Sequence, residues 1–289
     1  MSASGGDPNG GPRVFLNGAT IMTTPTAEHI RVAREAGFDG VEVRAERLLD
    51  RPEEVAAASP IVQPREVWSL NGLQLQVGPD GRLDGERAER ELSPRLAISG
   101  VLGAEYLLVV PPRQAGVDRG RAIEAMREGL ALVRDRAAAV GVGVAFEFLG
   151  FADCPIDSPA LAAEVVAPLD GVELVLDSCH WHASGSPSLE SFPVERLAMV
   201  HLNDAPSKPP REIEDADRVL PGDGVIRLIE LIAALRARGY EGPWSLETFN
   251  PTLWNQDPRQ VSSEGRSRLR DLLSGVEIAA PGLTGNATS

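Results

Sequence analysis

Histidine, cysteine and tyrosine are scarce in this 289-residue chain, with four, two and two copies. Two cysteines, Cys154 and Cys179, are too few for a disulfide framework, and no charged-then-apolar leader opens the sequence. A reduced, cytoplasmic setting is therefore expected. Basic residues are outnumbered, 28 against 42 acidic, and the net charge of −14 argues against nucleic acid or an anionic membrane face as a partner. No apolar stretch approaches the roughly 20 residues that span a bilayer. There is no P-loop, and LNGATIMTTPT, after the first strand-like run, lacks the spaced glycines that cradle a pyrophosphate.

What is present is a globular composition, 43% hydrophobic, able to bury a sizeable core. Short β-like apolar runs cover residues 13–18, 40–44, 73–78, 105–111, 142–149, 172–177, 197–203 and 243–249. Helical periods follow at 26–37, 85–103, 120–141, 158–169, 225–239 and 257–275. Residues 51–72, interrupted by prolines, read as a broken helix, and 186–191 as a short one. Eight βα units predict a single α/β domain, a (β/α)₈ TIM barrel over residues 13–276, with an open doubly wound sheet as the alternative. The Gly-, Ser- and Asn-rich ends, 1–12 and 277–289, read as loose tails, and the N-A-T sequon at Asn286 as accidental.

In such a barrel the chemistry lies at the C-terminal ends of the strands. Strand five ends in Glu147, strand six in Asp177, strand seven in His201 and strand eight in Glu247, each closing an apolar run. Burying an ionisable group among valines and leucines is costly unless it is paired or holds a cation. Four on consecutive strands point to one shared divalent metal, and a set of three carboxylates and one imidazole suits Mn²⁺ or Zn²⁺, with Mg²⁺ and Co²⁺ also acceptable.

Half of the histidines fall in LVLDSCHWHAS. His180, three residues after Asp177, is placed to move a proton or hold a substrate hydroxyl. His182 is expected to stand behind it or pack with Trp181, Cys179 to be a buried thiol, and His29 to lie on the surface. Glu42, closing GVEVR, could hydrogen-bond a substrate or a ligand, or pair with Arg44. Arg218 sits in a long Pro-rich loop, 201–224, where it could steady a developing oxyanion or pair with Asp215 or Asp217.

GFDGVEVR, FEFLGFADCPIDS, LVLDSCHWHASGS, DADRVLPGDGVI and SLETFNP occur in that order, and together they resemble the xylose isomerase-like TIM barrel superfamily of sugar isomerases, epimerases and keto-sugar dehydratases. Within it the inosose (2-keto-myo-inositol) isomerase branch is the most similar. The resemblance implies Glu147, Asp177, His201 and Glu247 as metal ligands, with His180 and Arg218 beside the substrate and Glu42 at the acidic position of the second strand. Gly18 stands where that branch tends to offer a polar group. The implied chemistry is a 1,2-proton transfer through a cis-enediolate, with Glu147 and Glu247 as the acid and base. The alternatives are a lyase on the same site, acting on an inosose, dehydroshikimate or a C-glycoside, and a non-catalytic carbohydrate-binding barrel. The expected partner is a small keto-sugar or cyclitol, with a homo-oligomer, or a small partner subunit for a C-glycoside enzyme, in addition.

Overall fold

A computed structural model describes residues 11–276, so residues 1–10 of the expected tail at 1–12, the tail at 277–289 and the Asn286 sequon lie outside the described residues. Eight parallel strands close into a barrel in sequence order: β1 Val14–Asn17, β2 Gly40–Arg44, β3 Val67–Gln74, β4 Tyr106–Val110, β5 Gly143–Glu147, β6 Val172–Asp177, β7 Leu197–Leu202 and β8 Trp244–Leu246. The open-sheet alternative is thereby set aside. Around it run α1 Thr26–Ala36, α2 Ala45–Asp50, α3 Pro52–Ala58, α4 Gly85–Leu102, α5 Arg119–Ala138, α6 Pro159–Val166, α7 Ser178–Ala183, α8 Leu228–Ala237, α9 Pro251–Trp254 and α10 Pro258–Gly275.

Two elements correct the sequence reading. The third strand is 67–74, not 73–78, and it takes up the end of the stretch read as a broken helix. Residues 73–78 alternate cleanly, but the barrel interior accepts the polar Ser69 and Asn71 of the true strand because both find partners there. After β6 the helix is 178–183 rather than 186–191, since the Asp177 side chain caps it by accepting from the His180 amide. The expected helix at 225–239 begins at Leu228.

Strand periodicity then builds the site. Side chains two apart share a face, so each inward position is followed by another one layer higher. Phe15, Ala145, Val175 and Met199 pack with Trp68 and Leu108 into an apolar plug inside the barrel. Two residues on from the first four stand Asn17, Glu147, Asp177 and His201, all buried. One layer closes the floor and the next carries the polar groups. Gly40 is required beneath Glu42, because a Cβ there would come 2.1 Å from the Glu66 carbonyl oxygen and 2.9 Å from the Phe15 ring.

Candidate metal centre

One ligand atom from each of Glu147, Asp177, His201 and Glu247 lies within 4.8 Å of the others, and all four residues are buried. Register brings the middle pair together, since Asp177 on β6 is the direct partner of His201 on β7. His201 directs Nδ1 into the cluster, 3.1 Å from both Glu147 and Glu247. Its Nε2 faces the other way, 3.2 Å from Glu42. Asp177 uses one oxygen to cap α7 at 2.8 Å, and its other accepts from Asn203 and, at 3.1 Å, from Arg218.

Burial, with the neighbouring carboxylates adding to it, lifts Glu147 to about 7 against the pull of His201. The same burial acts on Glu247, but His201, Arg218 and Arg44 outweigh it and hold that carboxyl below its ordinary value. His201 is raised despite burial, because Glu247, Glu42 and Glu147 surround it. Asp177 is raised by burial against the pull of Arg218. A carboxyl that burial keeps partly protonated at neutral pH, beside two more acids, lacks the compensation that its ionised form needs. The donor set therefore fits one divalent cation, whose charge would let all three carboxylates ionise.

The sites flagged by sequence converge here with one change of place. His180 and Arg218 line a cavity of about 360 Å³ with Glu147 and Glu247. The His180 and Phe151 rings meet nearly perpendicular with their centroids 4.8 Å apart, and Arg218 Nη2 donates to His180 Nε2 at 3.1 Å. Burial and the adjacent guanidinium push its pKa well down, so it is neutral. Arg218 pairs with Asp177, Glu247 and Asp215, whereas Asp217 belongs to Lys208. Glu42 lies behind His201, fully buried, and does not pair with Arg44, which turns to Glu46. Cys179 is a buried thiol pushed up to about 12 by burial, and His182, partly buried, lies outside the cavity lining.

His29 overturns its surface reading. It is buried, its Nε2 lies 3.0 Å from the Leu16 carbonyl oxygen, and burial lowers its pKa to about 4. Although its helical stretch lies far from any strand end along the chain, α1 turns His29 inward over the end of β1.

Several neutral residues escaped the sequence reading. At the end of β1 the polar group is Asn17, one place before Gly18, and it donates to Glu247 at 2.9 Å and to Glu42 at 3.3 Å. Ser69 donates to Glu42 at 2.7 Å, Asn71 reaches Glu247 at 3.5 Å, and Asn203 donates to Asp177 and to the Glu247 carbonyl oxygen. The Phe249 ring contacts the guanidiniums of Arg44 and Arg218, 5.0 and 5.3 Å from its centroid. The signal that was available is period-2 spacing: Asn17 follows inward Phe15, and Asn203 follows His201.

Known proteins share this fold. A family model described as xylose isomerase-like TIM barrel matches residues 30–272. An inosose isomerase of Bacillus subtilis is 30% identical over 270 residues, covering 90% of this chain and 97% of that protein. A 3-dehydroshikimate dehydratase of Pseudomonas putida is 28% identical over 273 residues, which cover 88% of this chain and 40% of that longer protein. A crystal structure of the IolI protein with a bound zinc atom matches with a TM-score of 0.81 at 25% identity, covering 92% of this chain and 99% of that one. No helix among the described residues is long and apolar enough to cross a membrane.

Proposed function

We propose, for a chain that belongs to the xylose isomerase-like TIM barrel family, the isomerisation of a keto-sugar or inosose by transfer of a proton between neighbouring carbons. The observation that carries this reading is the convergence of Glu147 from β5 and Glu247 from the end of β8, each 3.1 Å from His201 Nδ1, inside a four-donor cluster that opens on a cavity. About 360 Å³ suits a six-carbon ring or chain.

Glu147, Asp177, His201 and Glu247 would hold the ion, Mn²⁺ or Zn²⁺ by their donor chemistry. A bound dication supplies the positive charge that makes a carbon beside a carbonyl acidic, by stabilising the negative charge of the enediolate. The two glutamates approach from β5 and β8, so one takes the proton from one carbon and the other returns a proton to its neighbour. Glu147, raised by burial in the absence of the ion, would be ionised once a dication is held, the state in which it can take up the proton. Arg218 is fixed by three carboxylates and presents its charge to the developing oxyanion. His180, neutral, offers a hydrogen bond to a substrate hydroxyl.

A lyase is the second reading, favoured by the match to a dehydratase over nearly the whole chain. It starts with the same proton abstraction, and the enolate then expels a leaving group instead of being reprotonated. Proton NMR of an inosose in D₂O tests both. The isomerase incorporates deuterium beside the carbonyl and keeps the carbon skeleton's oxygens, and both chelation and Glu147→Gln abolish exchange. Loss of water from the product would transfer the assignment to the lyase, and absence of any exchange across a panel of inososes and keto-sugars would remove both.

A further inference from the structure

The metal donors occupy strands β5 to β8, and the wall formed by β3, β4 and α4 carries none of them. That wall is nonetheless polar, lined by Gln74, Gln76 and Arg95. Arg95 differs from the other guanidiniums of the cavity. Arg44 is paired with Glu46 at 2.6 Å, Arg113 with Glu214 at 2.7 Å, and Arg218 with Asp177 at 3.1 Å. Glu91, the acid one turn before Arg95 on the same helix, is taken by Arg87 at 2.7 Å. Among the described residues Arg95 has no ion-pair partner. It is half-buried, and only neutral acceptors hold it: Nε donates to the Gly72 carbonyl oxygen at 2.9 Å, and Nη1 to that of Glu91 at 2.7 Å.

We infer that Arg95 forms an anion subsite, and that the substrate is an acidic keto-sugar or keto-cyclitol whose carboxylate or phosphate group sits on the β3–α4 wall. The inference rests on the isomerase reading for the identity of the rest of the substrate. A guanidinium has five donor hydrogens, and two are used on backbone, which leaves three, all on Nη1 and Nη2. Those form the end-on fork that matches two oxygens of a carboxylate or phosphate. The two backbone bonds fix the plane of the fork without neutralising it. Burial accordingly pulls the Arg95 pKa down despite Glu91 and Glu46, as expected of a cation that lacks a counter-ion. Beside it, Gln76 donates to the Gln74 side-chain oxygen at 2.8 Å, and Gln74 to the Pro111 carbonyl oxygen at 3.2 Å, so both amides are ordered along the same wall.

The test is calorimetric titration of the metal-loaded protein with D-glucuronate, D-fructose 6-phosphate and neutral D-fructose. At least one of the acids is expected to bind about 10- to 100-fold tighter than fructose, the worth of one charge-assisted pair, and whichever binds better names the group. Arg95→Gln should remove this advantage and leave fructose binding unchanged, and Arg95→Lys should retain part of it as a point charge. Equal binding of fructose and both acids to the wild-type protein overturns the inference without recourse to any variant, and so does an advantage that survives in Arg95→Gln. Deuterium exchange into a neutral inosose without any preference for acids removes the subsite alone. Arg95-dependent acid binding without exchange on any substrate removes the isomerase reading and leaves the subsite.

Discussion

The Glu42 carboxylate stands 3.2 Å from His201 Nε2, on the edge of the ring turned away from Glu147 and Glu247. An Nε2–H donated to Glu42 leaves the Nδ1 lone pair facing the three acids, the tautomer that a metal needs. Asn17 and Ser69 fix Glu42 in turn. Glu42→Gln keeps the shape but can present its amide NH₂ to the ring, which frees the other tautomer. Affinity for Zn²⁺ or Mn²⁺ is expected to fall about 10- to 100-fold. Competition against a chromophoric chelator measures it, and unchanged affinity would show that Glu42 does not set the ring.

Metal binding should release a proton. Without an ion, Glu147 titrates near 7, so below that pH the site must lose a proton before all three carboxylates can act as donors. The apparent affinity is therefore expected to rise with pH through about 7, and the raised His201, which must also give up its Nδ1 proton, extends the rise above it. Calorimetry in two buffers of different ionisation enthalpy counts the protons. Glu147→Gln should abolish the part of this dependence near pH 7.

Stability should respond to His29. Its folded pKa of about 4 lies below the ordinary 6.5, so the unfolded chain binds more protons between these values. The contribution is fully present above pH 6.5, declines as pH falls, and is gone near pH 4. The span of the shift corresponds to about 3 kcal/mol. His29→Gln cannot ionise, and urea unfolding of the two proteins across this window should give curves that converge as the pH drops. Parallel curves would contradict the assignment.

Gly150 is the close neighbour of the helix that carries His180. A Cβ at this position would lie 2.1 Å from the His180 carbonyl oxygen, and backbone on both sides leaves no flexible atom to yield. Gly150→Ala is expected to cost about 1–3 kcal/mol in unfolding free energy. It should also lower turnover, because α7 moves and takes His180 with it. Metal content should remain near wild type, which separates displacement of the histidine from damage to the ion site.

The charged part of the site was legible in the sequence because ionisable groups at the ends of apolar strands are conspicuous: their burial needs compensation, and Glu147, Asp177, His201 and Glu247 come together in one cluster that could hold an ion. Asn17, Ser69, Asn71 and Asn203 carry no such penalty and resemble ordinary turn residues in a single sequence. The third strand was misplaced for a related reason. Its inward Ser69 and Asn71 break the apolar pattern, and only their bonds to Glu42 and Glu247 explain why they are tolerated. The six-residue α7 is too short to show a helical period, and its start depends on the Asp177 cap. His29 lies far from any strand end along the chain, and only the packing of α1 brings it against the end of β1.

Asp177 divides its two oxygens between the helix that carries His180 and the groups gathered at the barrel mouth. Engineering at this position therefore changes scaffold and chemistry in a single stroke. Asp177→Ala removes a donor and also unties the first turn beneath the imidazole, whereas Asp177→Asn keeps an oxygen for that turn while giving up the charge. The pair of variants separates anchoring from ion holding, and the residual order of His180 in Asp177→Asn measures how far one side chain synchronises the two.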